Sequence, residues 1–140
     1  IIGDGDLFKI LNDMIENHQI GDYIKLHGSK YGKELSEFFE KSNIFILPGT
    51  GGLAVNEAMA YNLPIITTPG DGTASDLVEN SKNGFLLEFG YSDDNLLEKM
   101  KFLLDSSKNN LKKMERNSLN TIKKVASMKN MIDTFYRASV

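Results

Sequence analysis

The sequence predicts an α/β domain with a parallel sheet covered by helices on both faces. Three observations lead there. Short apolar segments alternate about five times with segments whose apolar residues recur at helical spacing. The apolar segments, Ile44 to Leu47 above all, are nearly continuous, as suits a parallel strand buried on both faces. Glycine-rich turns follow the strand-like segments: Gly3-Asp4-Gly5, Gly28-Ser29, Pro48 to Gly52 and Pro69 to Gly72. Right-handed crossovers would gather these turns beyond the carboxyl ends of the strands, where such sheets bind ligands.

The elements follow in order. Ile1-Ile2 reads as the end of a strand, and the turn at Gly3 to Asp6 leads into a helix with Asp6 as its N-cap. Leu7, Ile10, Leu11, Met14 and Ile15 give that helix an apolar face as far as about His18. Tyr23 to Gly28 alternates as a strand does, and Lys33 to Lys41 is a helix with Leu35, Phe38 and Phe39 inward. Ile44 to Leu47 is a strand, Leu53 to Tyr61 a helix, and Pro64 to Thr68 a strand. Ser75 to Asn80 is a short helix capped by Ser75, and Gly84 to Glu88 a last strand. Helices then run over Asp93 to Leu104, Asn109 to about Ser127, and Lys129 to Ala138, so that 109–140 is helical.

Composition narrows the function. The 140 residues suit a single domain spanning 1–140, and 41% hydrophobic with 25% charged residues is an ordinary soluble balance. A net charge of -3 gives no support to general nucleic-acid binding. Cysteine is absent, which excludes disulfides and thiolate metal sites, and the two histidines are too scattered to suggest a metal. No apolar run approaches the ~18 residues of a membrane span. No signal peptide is evident, so a cytoplasmic location is the default. The first residues read as the inside of a strand, so the chain is expected to begin upstream.

One stretch carries chemistry. Pro48 stops the strand Ile44 to Leu47, the turn Gly49-Thr50-Gly51-Gly52 follows, and a helix starts at Leu53. Glycines allow close backbone approach and positive φ. The first turn of a helix leaves amides unpaired at the positive end of its dipole, so the amides of Gly49 to Ala54 suit an anion such as a diphosphate. The same glycines also suit a tight turn with no ligand, and the stretch matches neither the Walker nor the dinucleotide pattern. Glu57 adds a carboxylate one turn into the helix, in an otherwise apolar face. It can accept hydrogen bonds from the two hydroxyls of a ribose, or it can be a solvated or ion-paired surface acid.

In the order Ile-Ile-Gly-Asp-Gly, Lys-Leu-His-Gly, Phe-Ile-Leu-Pro, Gly-Leu-Ala-Val-Asn-Glu-Ala-Met-Ala-Tyr-Asn-Leu-Pro-Ile-Ile-Thr and Glu-Asn-Ser-Lys-Asn-Gly-Phe-Leu-Leu, the residues from Ile1 to about Leu104 resemble the C-terminal, donor-binding domain of a retaining glycosyltransferase of the family 4 group. The resemblance implies the GT-B architecture, in which this half is a Rossmann-like three-layer α/β/α sandwich, here without its first strand. It implies a UDP- or GDP-sugar donor, no metal or other cofactor, transfer with retention to a glycan or lipid-linked acceptor, and an N-terminal acceptor domain outside these residues. It places Gly28, Ser29 and Lys30 near the base, and the amides of Gly51 to Ala54 near the diphosphate and donor sugar. Glu57 corresponds to the second acid of the family's Glu-x7-Glu motif, associated with the ribose. The first acid would fall at Gly49, so its contact passes to backbone amides or to a group elsewhere.

Lesser candidates complete the reading. Gly5, Gly72 and Thr73 lie in turns at the expected ligand edge, the last two after Asp71. His27 ends a strand and suits a structural role. Lys112-Lys113 and Lys123-Lys124 suit a solvated helix face or a peripheral contact with an acidic membrane. Met131, Ile132, Phe135 and Tyr136 suit core packing or a partner surface. The rival functions are a nucleotide-sugar epimerase of similar fold and a non-catalytic nucleotide-binding or assembly module. Catalytic residues are not identifiable from the sequence.

Overall fold

A computed structural model of the chain describes residues 1–50, 52–70, 72–125 and 136. The chain divides into two compact units, Ile1–Glu40 and Lys41–Val140.

The first unit contains α1 (Phe8–Asn17) and most of α2 (Gly32–Lys41). No regular strand forms here, in contrast to expectation. Instead Ile1 N donates to Lys25 O at 2.6 Å, His27 N to Ile1 O at 2.9 Å and Gly3 N to Gly28 O at 2.9 Å. The bonds advance in the same direction along both segments, as in a parallel pair. They stop at Gly3 and Gly28, whose φ values of 139° and 67° end the extended conformation. Asp6 does not cap α1. Gly5 O accepts from Phe8 N at 2.8 Å, and this turn runs into the helix through Leu7, which has no capping side chain. On α1, Leu11 and Ile15 are half-buried while Leu7, Ile10 and Met14 are exposed. A unit of this size has too little apolar surface to cover a whole helix face.

The second unit is a three-stranded parallel sheet in the order β1-β2-β3. The strands are β1 (Phe45–Leu47), β2 (Ile65–Thr67) and β3 (Gly84–Leu86). Phe45 lies beside Ile65 and Leu47 beside Thr67, and Ile65 and Thr67 lie beside Gly84 and Leu86. The helices are α3 (Gly52–Ala60), α4 (Thr73–Leu77), α5 (Asp93–Asp105) and α6 (Lys108–Val125). Every residue of β2, the middle strand, is buried, whereas β1, whose apolar run was expected to be buried on both faces, is half-buried along its length because it lies at the end of the strand order. Ile66, Phe85, Leu87, Leu103 and Met114 form a core, with Ile44, Ile46, Tyr91, Leu96 and Met100 packed against it. Alternating side chains point to opposite sides of β2, and α3 and α4 pack against α6.

One helix end of this unit differs from expectation. Ser75 is not a cap, because α4 begins earlier, at Thr73, with Gly72 before it at φ 92°. The start of α5 is as expected and carries a reciprocal capping box between Ser92 and Asn95. The expected helix from Lys129 lies outside the described residues apart from Tyr136.

The segment Glu79-Asn80-Ser81-Lys82-Asn83-Gly84 serves the fold. Asn83 is fully buried. Its side chain accepts from Glu79 N at 2.8 Å and donates to Leu77 O at 2.8 Å, and its carbonyl accepts from Ile65 N at 3.1 Å. Asn80 Oδ1 accepts from Leu86 N at 2.8 Å, closing a backbone donor of β3. A Cβ on Gly84 would lie 2.1 Å from Ile65 O, so glycine is required for β3 to approach β2.

Candidate functional site

The glycine turn between β1 and α3 is the best-built candidate site. Leu47 and Thr67 are register partners, so the turns that follow β1 and β2 leave the same sheet edge. Hydroxyl groups from neighbouring segments fasten the first of these turns. Thr67 Oγ1 donates to Leu47 O at 2.8 Å, Tyr91 Oη to Pro48 O at 3.1 Å, and Thr68 Oγ1 to Gly49 O at 2.8 Å. Gly49 N donates back to Leu47 O at 2.8 Å. Thr67 and Thr68 are buried, so water does not replace them easily.

The amides beyond that anchored segment are available. α3 begins at Gly52, so Gly52, Leu53 and Ala54 have no intrahelical acceptor for their N–H groups. Gly51, the residue before them, has no side chain that could cap the helix. Among the described residues, nothing accepts from Thr50 N–H either. Four backbone donors therefore face an open requirement at the positive end of a helix dipole worth roughly half a charge. That arrangement suits an anion. Gly51 itself lies outside the described residues.

Glu57 lies on the exposed face of α3, not among its apolar residues as the sequence suggested. Val55, Ala58 and Met59 are the buried positions, whereas Leu53 and Glu57, a helical turn apart, are exposed. Among the described residues the Glu57 carboxylate has no hydrogen-bond or ion-pair partner. It is free to accept from a ligand. Next to it, Asn56 Oδ1 is buried without a partner among the described residues, a group the sequence did not single out.

The other candidates fall elsewhere. Gly72 and Thr73 open α4 after β2, on the same edge as the turn at Gly49; Asp71 lies outside the described residues. Gly5, Gly28, Ser29 and Lys30 belong to the first unit, where the Gly3–Gly28 bond joins two of the predicted turns. Lys30 forms an ion pair with Glu34 at 3.6 Å. His27 packs against Phe38 with ring centroids 4.6 Å apart and the ring planes tilted by 52°. Lys112, Lys113, Lys123 and Lys124 are exposed on α6. Of the apolar stripe near the C-terminus, Met131, Ile132 and Phe135 lie outside the described residues, and Tyr136 is exposed. Among the described residues no group of His, Asp and Glu is placed to hold a metal, and no helix is long and apolar enough to cross a membrane.

The hydroxyls of Thr67, Thr68 and Tyr91 were missed as site features. The one signal was the pair of threonines closing a buried apolar strand just before a proline.

Comparison with known proteins bears on what this edge binds. Residues 1–121 match the family described as glycosyl transferases group 1. The amylovoran biosynthesis glycosyltransferase AmsK of Erwinia amylovora is 31% identical over 99 residues, which is 64% of this chain and 24% of AmsK. The pneumococcal O-GlcNAc transferase GtfA, solved with UDP and GlcNAc, superposes with a TM-score of 0.79 at 25% identity, covering 99% of this chain and 28% of that one. HepE of Anabaena, solved with UDP-glucose, shares the fold, with a TM-score of 0.74 at 19% identity over 99% of this chain and 40% of that one. The chain spans about a quarter of the length of the curated relatives it matches. The alternating elements, the parallel sheet and the match over most of the residues agree: the chain belongs to the glycosyl transferases group 1 family, with its Rossmann-like GT-B fold.

Proposed function

We propose that the chain is the donor-binding domain of a retaining glycosyltransferase. The donor is a UDP- or GDP-sugar, and the acceptor, a glycan or lipid-linked saccharide, is held by another part of the protein. The observation that carries this reading is the row of donors at Thr50, Gly52, Leu53 and Ala54, free among the described residues, with Glu57, likewise without a partner among them, one turn further on. A nucleoside diphosphate needs both: N–H groups for its phosphates and a carboxylate for the ribose hydroxyls. The nucleotides held by the GtfA and HepE structures support it.

Each residue then has a task. The amides of Thr50, Gly52, Leu53 and Ala54 hold the diphosphate and donor sugar, while the Gly49 amide, expected to join them, is taken up by Leu47 O. When the bond from the anomeric carbon to phosphate oxygen breaks, the nucleoside diphosphate departs with the electron pair, and the fixed N–H groups stabilise the negative charge it gains. The acceptor hydroxyl oxygen forms the new bond to the anomeric carbon, and its proton passes to the departing phosphate oxygen. Glu57 binds the ribose. Gly72 and Thr73 are secondary contacts. No metal enters this scheme, because backbone donors meet the phosphate charge. The exposed lysines of α6 support a peripheral contact with an acidic membrane surface, on the cytoplasmic side.

Gly49 favours a second reading, a non-catalytic nucleotide-binding module, because it supplies no carboxylate toward a donor sugar. Product analysis of a donor turnover assay on the protein containing this chain separates the two. Sugar transfer excludes the module, and nucleotide binding without turnover excludes the enzyme.

A further inference from the structure

The peptide plane between Gly49 and Thr50 is held from one side only. Thr68 Oγ1 donates to Gly49 O at 2.8 Å, and Thr68 is 6% exposed. A planar trans peptide points its C=O and N–H in opposite directions, and no cis peptide occurs among the described residues. Holding the carbonyl against Thr68 therefore turns Thr50 N–H away from the residue that follows β2. Among the described residues nothing else selects this orientation. Gly49 has an ordinary negative φ and no atom within 4 Å of a Cβ position, so its own backbone permits other orientations of the plane.

We infer that Thr68 is a positioning residue that aims Thr50 N–H at the anionic part of the nucleotide donor. The inference rests on the donor-binding reading above. The neighbouring hydroxyl bonds do not have this effect. Thr67 holds the carbonyl of the Leu47–Pro48 peptide, which has no N–H to aim. Tyr91 holds the carbonyl of the Pro48–Gly49 peptide, whose N–H is already used by Leu47 O. Only the bond from Thr68 leaves a free donor on the far side of the plane it fixes.

The test uses the 140-residue chain with isotope labels, titrated with UDP and with GDP. The variants are Thr68→Val, Thr68→Ser and Thr67→Val. Thr68→Val keeps the side-chain shape and removes the hydroxyl. It is expected to weaken nucleotide binding about tenfold, the scale of one lost hydrogen bond to a charged group. Thr68→Ser is expected to bind within about twofold of the unsubstituted chain, as a retained hydroxyl requires. Thr67→Val removes a hydroxyl bond that fixes no N–H and is expected to lower the melting temperature. In the nucleotide-free chain, the residual dipolar coupling of Thr50 N–H should collapse in Thr68→Val and persist in Thr67→Val. An unchanged coupling in Thr68→Val overturns the positioning claim whether or not nucleotide binds. Equal affinity of Thr68→Val and the unsubstituted chain overturns its functional part. Failure of the unsubstituted chain to bind either nucleotide overturns the donor reading and this inference with it, and the dipolar coupling identifies that case separately.

Discussion

Asn83 Nδ2 donates to the carbonyl oxygen of Leu77 at 2.8 Å and makes one buried side chain the junction of several elements. The same side chain closes Glu79 N, its Nδ2 also lies 3.4 Å from Thr121 Oγ1 on α6, and its carbonyl accepts from β2 and from Ser118. Replacing it with Leu would strand Glu79 N–H and Leu77 O away from water. Each buried unsatisfied group costs about 1–3 kcal/mol, so Asn83→Leu should lower the unfolding free energy by about 3 kcal/mol. Urea denaturation measures this, and a loss below about 1 kcal/mol would show that the junction is dispensable.

Gly84 sets the separation of β2 and β3. A methyl group there would meet Ile65 O at 2.1 Å, and backbone cannot yield as a flexible side chain does. Gly84→Ala should cost about 3 kcal/mol, at the upper end of ordinary overpacking, or prevent folding. Thermal unfolding by circular dichroism is the check.

Gly49 should behave in the opposite way. Its Cβ position is open and its φ is not positive. Gly49→Ala should therefore leave the fold intact and add about 0.4–1 kcal/mol by restricting the unfolded chain. Gly72, at φ 92°, has equal room but the wrong backbone for a side chain, and Gly72→Ala should destabilise by about 1–2 kcal/mol. If both variants shift the midpoint of a urea titration in the same direction, the backbone argument fails.

Glu57 is exposed and has no partner among the described residues, so its removal should not disturb folding. Glu57→Ala is expected to change stability by less than about 0.5 kcal/mol, as surface substitutions do. If its carboxylate binds the ribose, the same variant should weaken UDP or GDP binding about tenfold or more. The comparison ligand is inorganic pyrophosphate, which lacks the ribose and should bind both forms alike.

Much of this was legible in the residues. Strands β1 to β3 and helices α2, α3, α5 and α6 follow from apolar runs and helical periodicity. Local signals of that kind lie within a few residues. The failures were of other kinds. Asp6 and Ser75 are good capping residues in isolation, but a backbone turn at Gly5 and an early start at Thr73 decided those helix ends. The periodicity of Leu7, Ile10 and Met14 correctly marked a helix, yet could not show that these residues stay exposed. Thr68 and Tyr91 reach carbonyls 19 and 43 residues away in the chain, and no local pattern encodes such contacts. The glycine turn was visible as a candidate anion seat; the hydroxyls that fix its carbonyls became visible only with the fold.

Isothermal titration calorimetry of the folded protein with UDP, GDP and their sugars tests the central claim most directly. The account predicts saturable binding of one of these nucleotides at one site, with amide shifts in NMR spectra of the complex centred on Thr50, Gly52, Leu53 and Ala54. Absence of binding by any of them to a folded protein would contradict it, as would binding that leaves those amides unmoved.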